Sequence, residues 1–308
     1  MTVAPLSRAG GSKAGGAGFR APGGGLVPLL GPAVTLLTML FLAPAVAVLV
    51  ISFTDWELGA PGLSVIGFAN FRELGEDAAF RASLANTALY VSIVVPGAVG
   101  FGLLIALLIE AGGALRGFYR AAHFLPFMTT LAAMAIVWEA LLNPTVGVLS
   151  GLSGLFGLPP VNWLQDEATA LATLAAIGIW QNAGFAMVLF LAGLKTIPGD
   201  LYDAAELDGA GGPLDRTRTV TLPLLGPVFL FAVVVVALNA FQTFDTVQIL
   251  TKGGPNYATE LLLYTMYRES FTYFRAGYGA AVAVIFLAIV IAVTLAQMRV
   301  GEKRVHYQ

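Results

Sequence analysis

Residues 195–223 read KTIPGDLYDAAELDGAGGPLDRTRTVTLP. Four carboxylates, Asp200, Asp203, Glu206 and Asp208, fall within nine positions around two alanines, and a glycine run follows. Pro198 can open a helix, because its missing N–H is not needed in the first turn. Asp200 and Asp203 then stand near the positive end of the helix dipole. The GAGG run at 209–212 ends the helix, and Pro213 can start a second short one. A solvated loop helix explains the charges, whereas Ala204 and Ala205 fit a helix that docks closely into a groove of another protein. Long apolar runs flank the stretch on both sides, so the fold depends on what those runs are.

The chain has 308 residues, 57% hydrophobic and 11% charged, with a mean hydropathy of +0.82. Soluble domains carry about 25% charged residues, so this is the composition of an all-α polytopic membrane protein. Six segments reach the ~20 apolar residues that cross ~30 Å of hydrocarbon: about 26–52, 84–110, 119–142, 170–194, 222–244 and 277–298. Residues 1–25, rich in Gly, Ala and Pro, read as a disordered tail, and 301–308 as a short C-terminal one. The A-P-A triplet at 43–45 suggests a cleaved leader, but the apolar run from Leu26 to Ile51 far exceeds a signal h-region of about 7–15 residues.

With the N-terminus in the cytoplasm, eleven of the sixteen Lys and Arg residues fall in cytoplasmic segments. That bias predicts both termini, and the 195–222 loop, inside. The stretch 53–83, with Phe53, Trp56 and five carboxylates, reads as an outer loop anchored by aromatics. Residues 260–276 place Tyr264, Tyr267, Phe271 and Phe274 at helical spacings, which predicts an amphipathic helix lying at the outer interface or packed on the bundle.

Several functions are excluded. The chain has no cysteine, and its two histidines, His123 and His306, are far apart in sequence. No metal site, cofactor site or catalytic residue is expected. A net charge of −2 gives no reason to expect nucleic acid. There is no Gly-Lys-Ser/Thr phosphate loop.

Polar residues within spans need partners or a water-filled pathway. The fourth span carries Trp180, Gln181, Asn182 and Phe185, with Gln181 and Phe185 on one face and Asn182 beside them, and the fifth carries Asn239, Gln242 and Thr243 on one face. Amides and hydroxyls beside aromatic rings suit a sugar, although such groups also bond neighbouring helices. No Lys or Arg lies in mid-span, which disfavours a phosphorylated substrate.

Asp203-Ala204-Ala205, Asp208-Gly209-Ala210 and Leu222-Pro223 together resemble the EAA loop of permease subunits in bacterial ATP-binding-cassette (ABC) importers. Asp203 stands where that loop usually has Glu. Phe244-Asp245-Thr246 with Leu250-Thr251-Lys252-Gly253-Gly254-Pro255 is similar to a stretch of the maltose and glycerol-3-phosphate type, and Gly277-Tyr278-Gly279-Ala280-Ala281 and Asn143-Pro144 extend the likeness. The resemblance implies a type I importer permease in the bacterial inner membrane, paired with a second, related permease as a heterodimer. It implies two ATPase subunits that bind ATP and Mg, an extracytoplasmic sugar-binding protein, and a lipid bilayer around the spans. It further implies that residues 202–210 (Tyr202, Asp203, Ala204, Ala205, Glu206, Leu207, Asp208, Gly209 and Ala210) couple to the ATPase. The substrate pathway is implied at Gln181, Asn182, Phe185, Val236, Asn239, Ala240 and Thr243, with Trp180 and Gln242 beside them. A secondary transporter of a small neutral solute is the alternative, although Glu110 and Glu139 lie near span ends rather than at midplane.

Overall fold

The structure, a computed structural model, describes residues 26–156, 159 and 161–304. The tail expected at 1–25 and the last four residues lie outside that range. Residues through Ala47 and those from Val48 onward form two units. In the first, α1 (Leu26–Leu37) passes through a π-helical turn, Thr38–Leu42, into α2 (Ala43–Ile51), which carries on into the second unit. Its Leu30–Ile51 stretch is long and apolar enough to span a bilayer.

The second unit starts with α3 (Ala69–Glu76) and α4 (Ala78–Ala111). The Asp77 carboxylate caps α4 by accepting the Ala79 N–H at 2.8 Å. Next come α5 (Arg116–Met128), α6 (Leu131–Leu141) and α7 (Val148–Leu155), then α8 (Ala170–Leu194) and α9 (Gly199–Leu207). The chain continues through α10 (Pro213–Arg216), a π turn at Thr217–Thr221, α11 (Leu222–Leu224) and α12 (Gly226–Phe241). Last are α13 (Leu262–Tyr267) and α14 (Ala276–Arg304).

Four helices span by length and composition, and six do if each bent pair counts as one span. The third expected segment is such a pair: α5 and α6 bend by 101° where Thr129 and Thr130 turn extended. The fifth bends by 73° before α12. The second begins at Ala78 rather than near 84, and α14 runs on through Arg304 into the expected C-terminal tail.

The core is the α4–α8 pair, with α12 laid against both. Lipid gives helices no hydrophobic drive to associate, so close contact rests on small residues. A Cβ on Gly102 of α4 would come within 2.7–2.9 Å of Ala186, Ala183 O and Met187 N. Gly184, on α8, abuts the carbonyl of His123 in α5. Val94, Ala98, Phe190, Val236 and Ala240 fill the interior, each 0–1% exposed.

Of the two placements expected for the 260–276 stretch, the connection between α12 and α14 takes the one packed on the bundle, held there through buried ions. It contains a π turn at Val247–Thr251, the short α13 and another π turn, Arg268–Thr272. Glu260 is fully buried. It pairs with Arg268 at 2.9 Å and accepts the Thr265 hydroxyl at 2.8 Å. Arg268 and Arg275 share Glu269 at 3.5 and 3.4 Å, and Arg275 also pairs with Glu73 ahead of α4. Burial pushes the Glu260 carboxyl up to about 7, outweighing the opposing pull of Arg268 and Thr265. The Thr251–Pro255 turn closes on the same network. Gly253, at φ +80°, lies against the Glu260 carboxylate, and Thr259 Oγ1 lies 2.6 Å from the Gly254 carbonyl.

Candidate functional site

Two features stand out: a polar cavity within the helices and an exposed acidic helix at one end. The cavity, about 200 Å³, is lined by Tyr90, Phe127, Leu131, Gly178, Gln181, Asn182, Asn239, Gln242, Thr243 and Thr246. α8 and α12, the helices on either side of the 195–222 loop, supply its amides. Asn182 donates back to the Gly178 carbonyl at 2.9 Å, using an acceptor within its own helix. Asn239 Nδ2 donates to Asn182 Oδ1 at 3.3 Å, a bond that joins α12 to α8 across the cavity. Among the described residues the Gln181 and Gln242 side chains have no hydrogen-bond partner. They therefore keep both donor and acceptor capacity for a guest. No lining residue is charged.

Aromatic rings form one wall. Phe127 of α5 stacks on Phe185 of α8 with centroids 4.7 Å apart, and Phe124 stacks on Phe127 at 5.9 Å. Trp180 turns the other way, edge-on to Trp138 at 5.4 Å.

The structure thus gathers Gln181, Asn182, Asn239, Gln242 and Thr243 around one space, with Phe185 one ring removed. Val236 and Ala240 are buried in the helix core instead, and Trp180 packs toward α6. The sequence reading did not single out Tyr90, Phe127, Gly178 or Thr246. Tyr90 had a visible signal, being a phenol within an otherwise apolar span.

The acidic helix is α9. Pro198 occupies its N-cap with ψ 137°, one residue earlier than the first helical position expected for it. At the other end Gly209 adopts φ +95°. There Ala210 N–H bonds Ala205 O at 2.8 Å and Gly209 N–H bonds Glu206 O at 3.1 Å, a Schellman stop. Glu206 pairs with Arg216 of α10, and the Tyr202 hydroxyl lies 3.1 Å from Thr221 Oγ1. Asp203, Ala204, Leu207, Asp208 and Gly209 are exposed, while Tyr202, Ala205 and Ala210 are half-buried. Leu207 is 91% exposed.

No group of three or more His, Cys, Asp or Glu among the described residues could hold a metal ion.

Residues 98–307 match the family described as "Binding-protein-dependent transport system inner membrane component". A probable ABC transporter permease protein of Pyrococcus horikoshii is 32% identical over 272 residues, 88% of this chain and 93% of that protein. The sn-glycerol-3-phosphate transport system permease protein UgpA of Agrobacterium fabrum is 33% identical, over 91% of this chain and 95% of its own. The sulfoquinovosyl glycerol transport system permease protein SmoG of the same organism is 32% identical, over 89% of each chain. Among solved structures, a bacterial ABC transporter that imports the acidic polysaccharide alginate shares the fold. The TM-score is 0.78 at 20% identity, covering 90% of this chain and 95% of that one.

Proposed function

The chain belongs to the inner-membrane components of binding-protein-dependent transport systems, the permease subunits of ABC importers, and on that premise we propose that it carries a neutral carbohydrate. The observation behind this substrate class is the uncharged cavity between α8 and α12. Its unpartnered amides can hydrogen-bond sugar hydroxyls, and its ring wall suits the C–H face of a pyranose. A phosphate entering the cavity would meet no cation from this chain. Gln181, Asn182, Asn239, Gln242 and Thr243 are the contacts, with Phe185 backing Phe127.

The 202–210 segment docks on a cytoplasmic ATPase, with Ala204 and Ala205 admitting close approach and Leu207 entering an apolar pocket of the partner. Two such ATPases bind ATP and Mg. A second, related permease completes the pathway, and an extracytoplasmic binding protein delivers the sugar. Both termini face the cytoplasm. The secondary-transporter alternative has no support in the family match.

The test is uptake by proteoliposomes holding the chain with its co-purified permease, ATPases and binding protein. Gln181→Ala and Asn239→Ala each remove one hydrogen-bonding group, worth about 1 kcal/mol. Each is expected to lower kcat/KM roughly fivefold for the neutral sugar released from the binding protein. Preferential uptake of a sugar phosphate would overturn the neutral reading, and uptake without ATP would overturn the coupling.

A further inference from the structure

We propose that Tyr90 of α4 is a further substrate-contacting residue, making α4 another wall of the pathway, and that Gly178 holds its phenol in place. The inference rests on reading the amide cavity as the pathway. Tyr90 is almost wholly buried, 2% exposed, and lines that cavity. Its hydroxyl makes a single long bond, 3.3 Å, accepting from Thr243 Oγ1 just past the end of α12. A phenol carries one proton and accepts through its oxygen, so capacity remains for a hydroxyl-bearing guest. The position is enforced from behind. A Cβ at Gly178 would run into the Tyr90 hydroxyl, with Tyr90 Cζ and Val94 Cγ2 next, each at 3.3 Å. Glycine at 178 therefore leaves room for that oxygen, while the Gly178 carbonyl orients the Asn182 amide at 2.9 Å. One glycine thus sets two polar groups, the Tyr90 phenol on α4 and the Asn182 amide on α8. α4 brings the only phenol to a site whose other polar groups are amides and threonines.

This chain has no native cysteine, so single-cysteine variants of it, read as labelling of this subunit's band in the full transporter, give the test. The probe is a charged, membrane-impermeant methanethiosulfonate, applied in nucleotide-free and vanadate-trapped states. Val94, one turn along α4, is fully buried. Tyr90→Cys is expected to react at least about tenfold faster than Val94→Cys, because a thiol buried in apolar surroundings is inert. If Tyr90→Cys is as inert as Val94→Cys while Gln181→Cys reacts, α4 lies outside the pathway and this inference falls alone. If Gln181→Cys is inert as well, the reading of the cavity falls and takes this one with it.

A second measurement does not depend on the cysteine variant assembling. Gly178→Ala should lower the melting temperature of the purified complex by several degrees, and by much less in a Tyr90→Phe background that lacks the colliding oxygen. Equal losses in both backgrounds would overturn the proposed placement of Tyr90.

Discussion

The Tyr202 and Thr221 hydroxyls meet at 3.1 Å, tying the exposed acidic helix α9 to the π turn that feeds α12. Apart from the Glu206–Arg216 ion pair, this is the direct side-chain link between α9 and the segment after it. Force arriving at α9 can reach the cavity helix through it. Tyr202→Phe removes the bond at a cost of about 1 kcal/mol. The expected result is a transport rate roughly fivefold lower at an unchanged rate of ATP hydrolysis. Measuring ATP consumed per sugar carried checks it, and an unaltered ratio would remove Tyr202 from the coupling path.

The Glu206–Arg216 pair should matter far less. Its side chains are 59% and 35% exposed, and exposed pairs contribute about 0–1 kcal/mol. Glu206→Gln is expected to shift the unfolding midpoint by no more than a degree or two, roughly the size of such a term. Thermal melts in low and high salt would show it, with any small loss vanishing in high salt.

How much of this was visible in the sequence differs by element. The six apolar segments and the stop at Gly209 were legible, because length, hydropathy and a left-handed glycine are local properties. The 101° break between α5 and α6 was not. Hydropathy averages over a window and carries no direction, and Thr129 and Thr130 look like ordinary span residues. The cavity amides were found because they interrupt apolar runs. Tyr90 was less legible, being one phenol in the long span α4 rather than on the two helices that flank the 195–222 loop. Val236 and Ala240 entered through family resemblance rather than their own chemistry, and the structure buries both in the helix core. The ion network around Glu260 was unreadable, since it joins Glu73 to residues about 200 positions later.

That network gives a pH prediction. The Glu260 carboxyl is raised to about 7 from an ordinary 4.5. Between those values the folded chain holds a proton that the unfolded chain has released. The resulting stability is fully present below about pH 4.5 and is lost as pH rises through about 7. Glu269 is also raised, by burial above all, and acts in the same direction. The wild-type melting temperature should therefore climb as pH falls from 8 to 5. Glu260→Gln should flatten part of that slope, and a slope equal to wild type would contradict the assignment.

Two glycines should behave oppositely. Gly184 lies against the His123 backbone, which cannot move aside as a side chain can. Gly184→Ala should separate α5 from α8 and cost on the order of 1–3 kcal/mol, as overpacking does. Gly100 has nothing within 4 Å of its would-be Cβ. There an alanine relieves helix entropy and should gain about 0.4–1 kcal/mol. Chemical denaturation of both variants in detergent compares them directly.

The measurement closest to the central claim is a crosslink from Leu207, whose side chain is almost wholly exposed at the end of α9. Leu207→Cys, in a chain with no other cysteine, carries a short photoreactive crosslinker in native membranes. The account predicts one dominant adduct, to an ATP-binding subunit, with a yield that changes when ATP and vanadate are added. Co-purification of that ATPase without any adduct from position 207, or adducts to lipid alone, would contradict it.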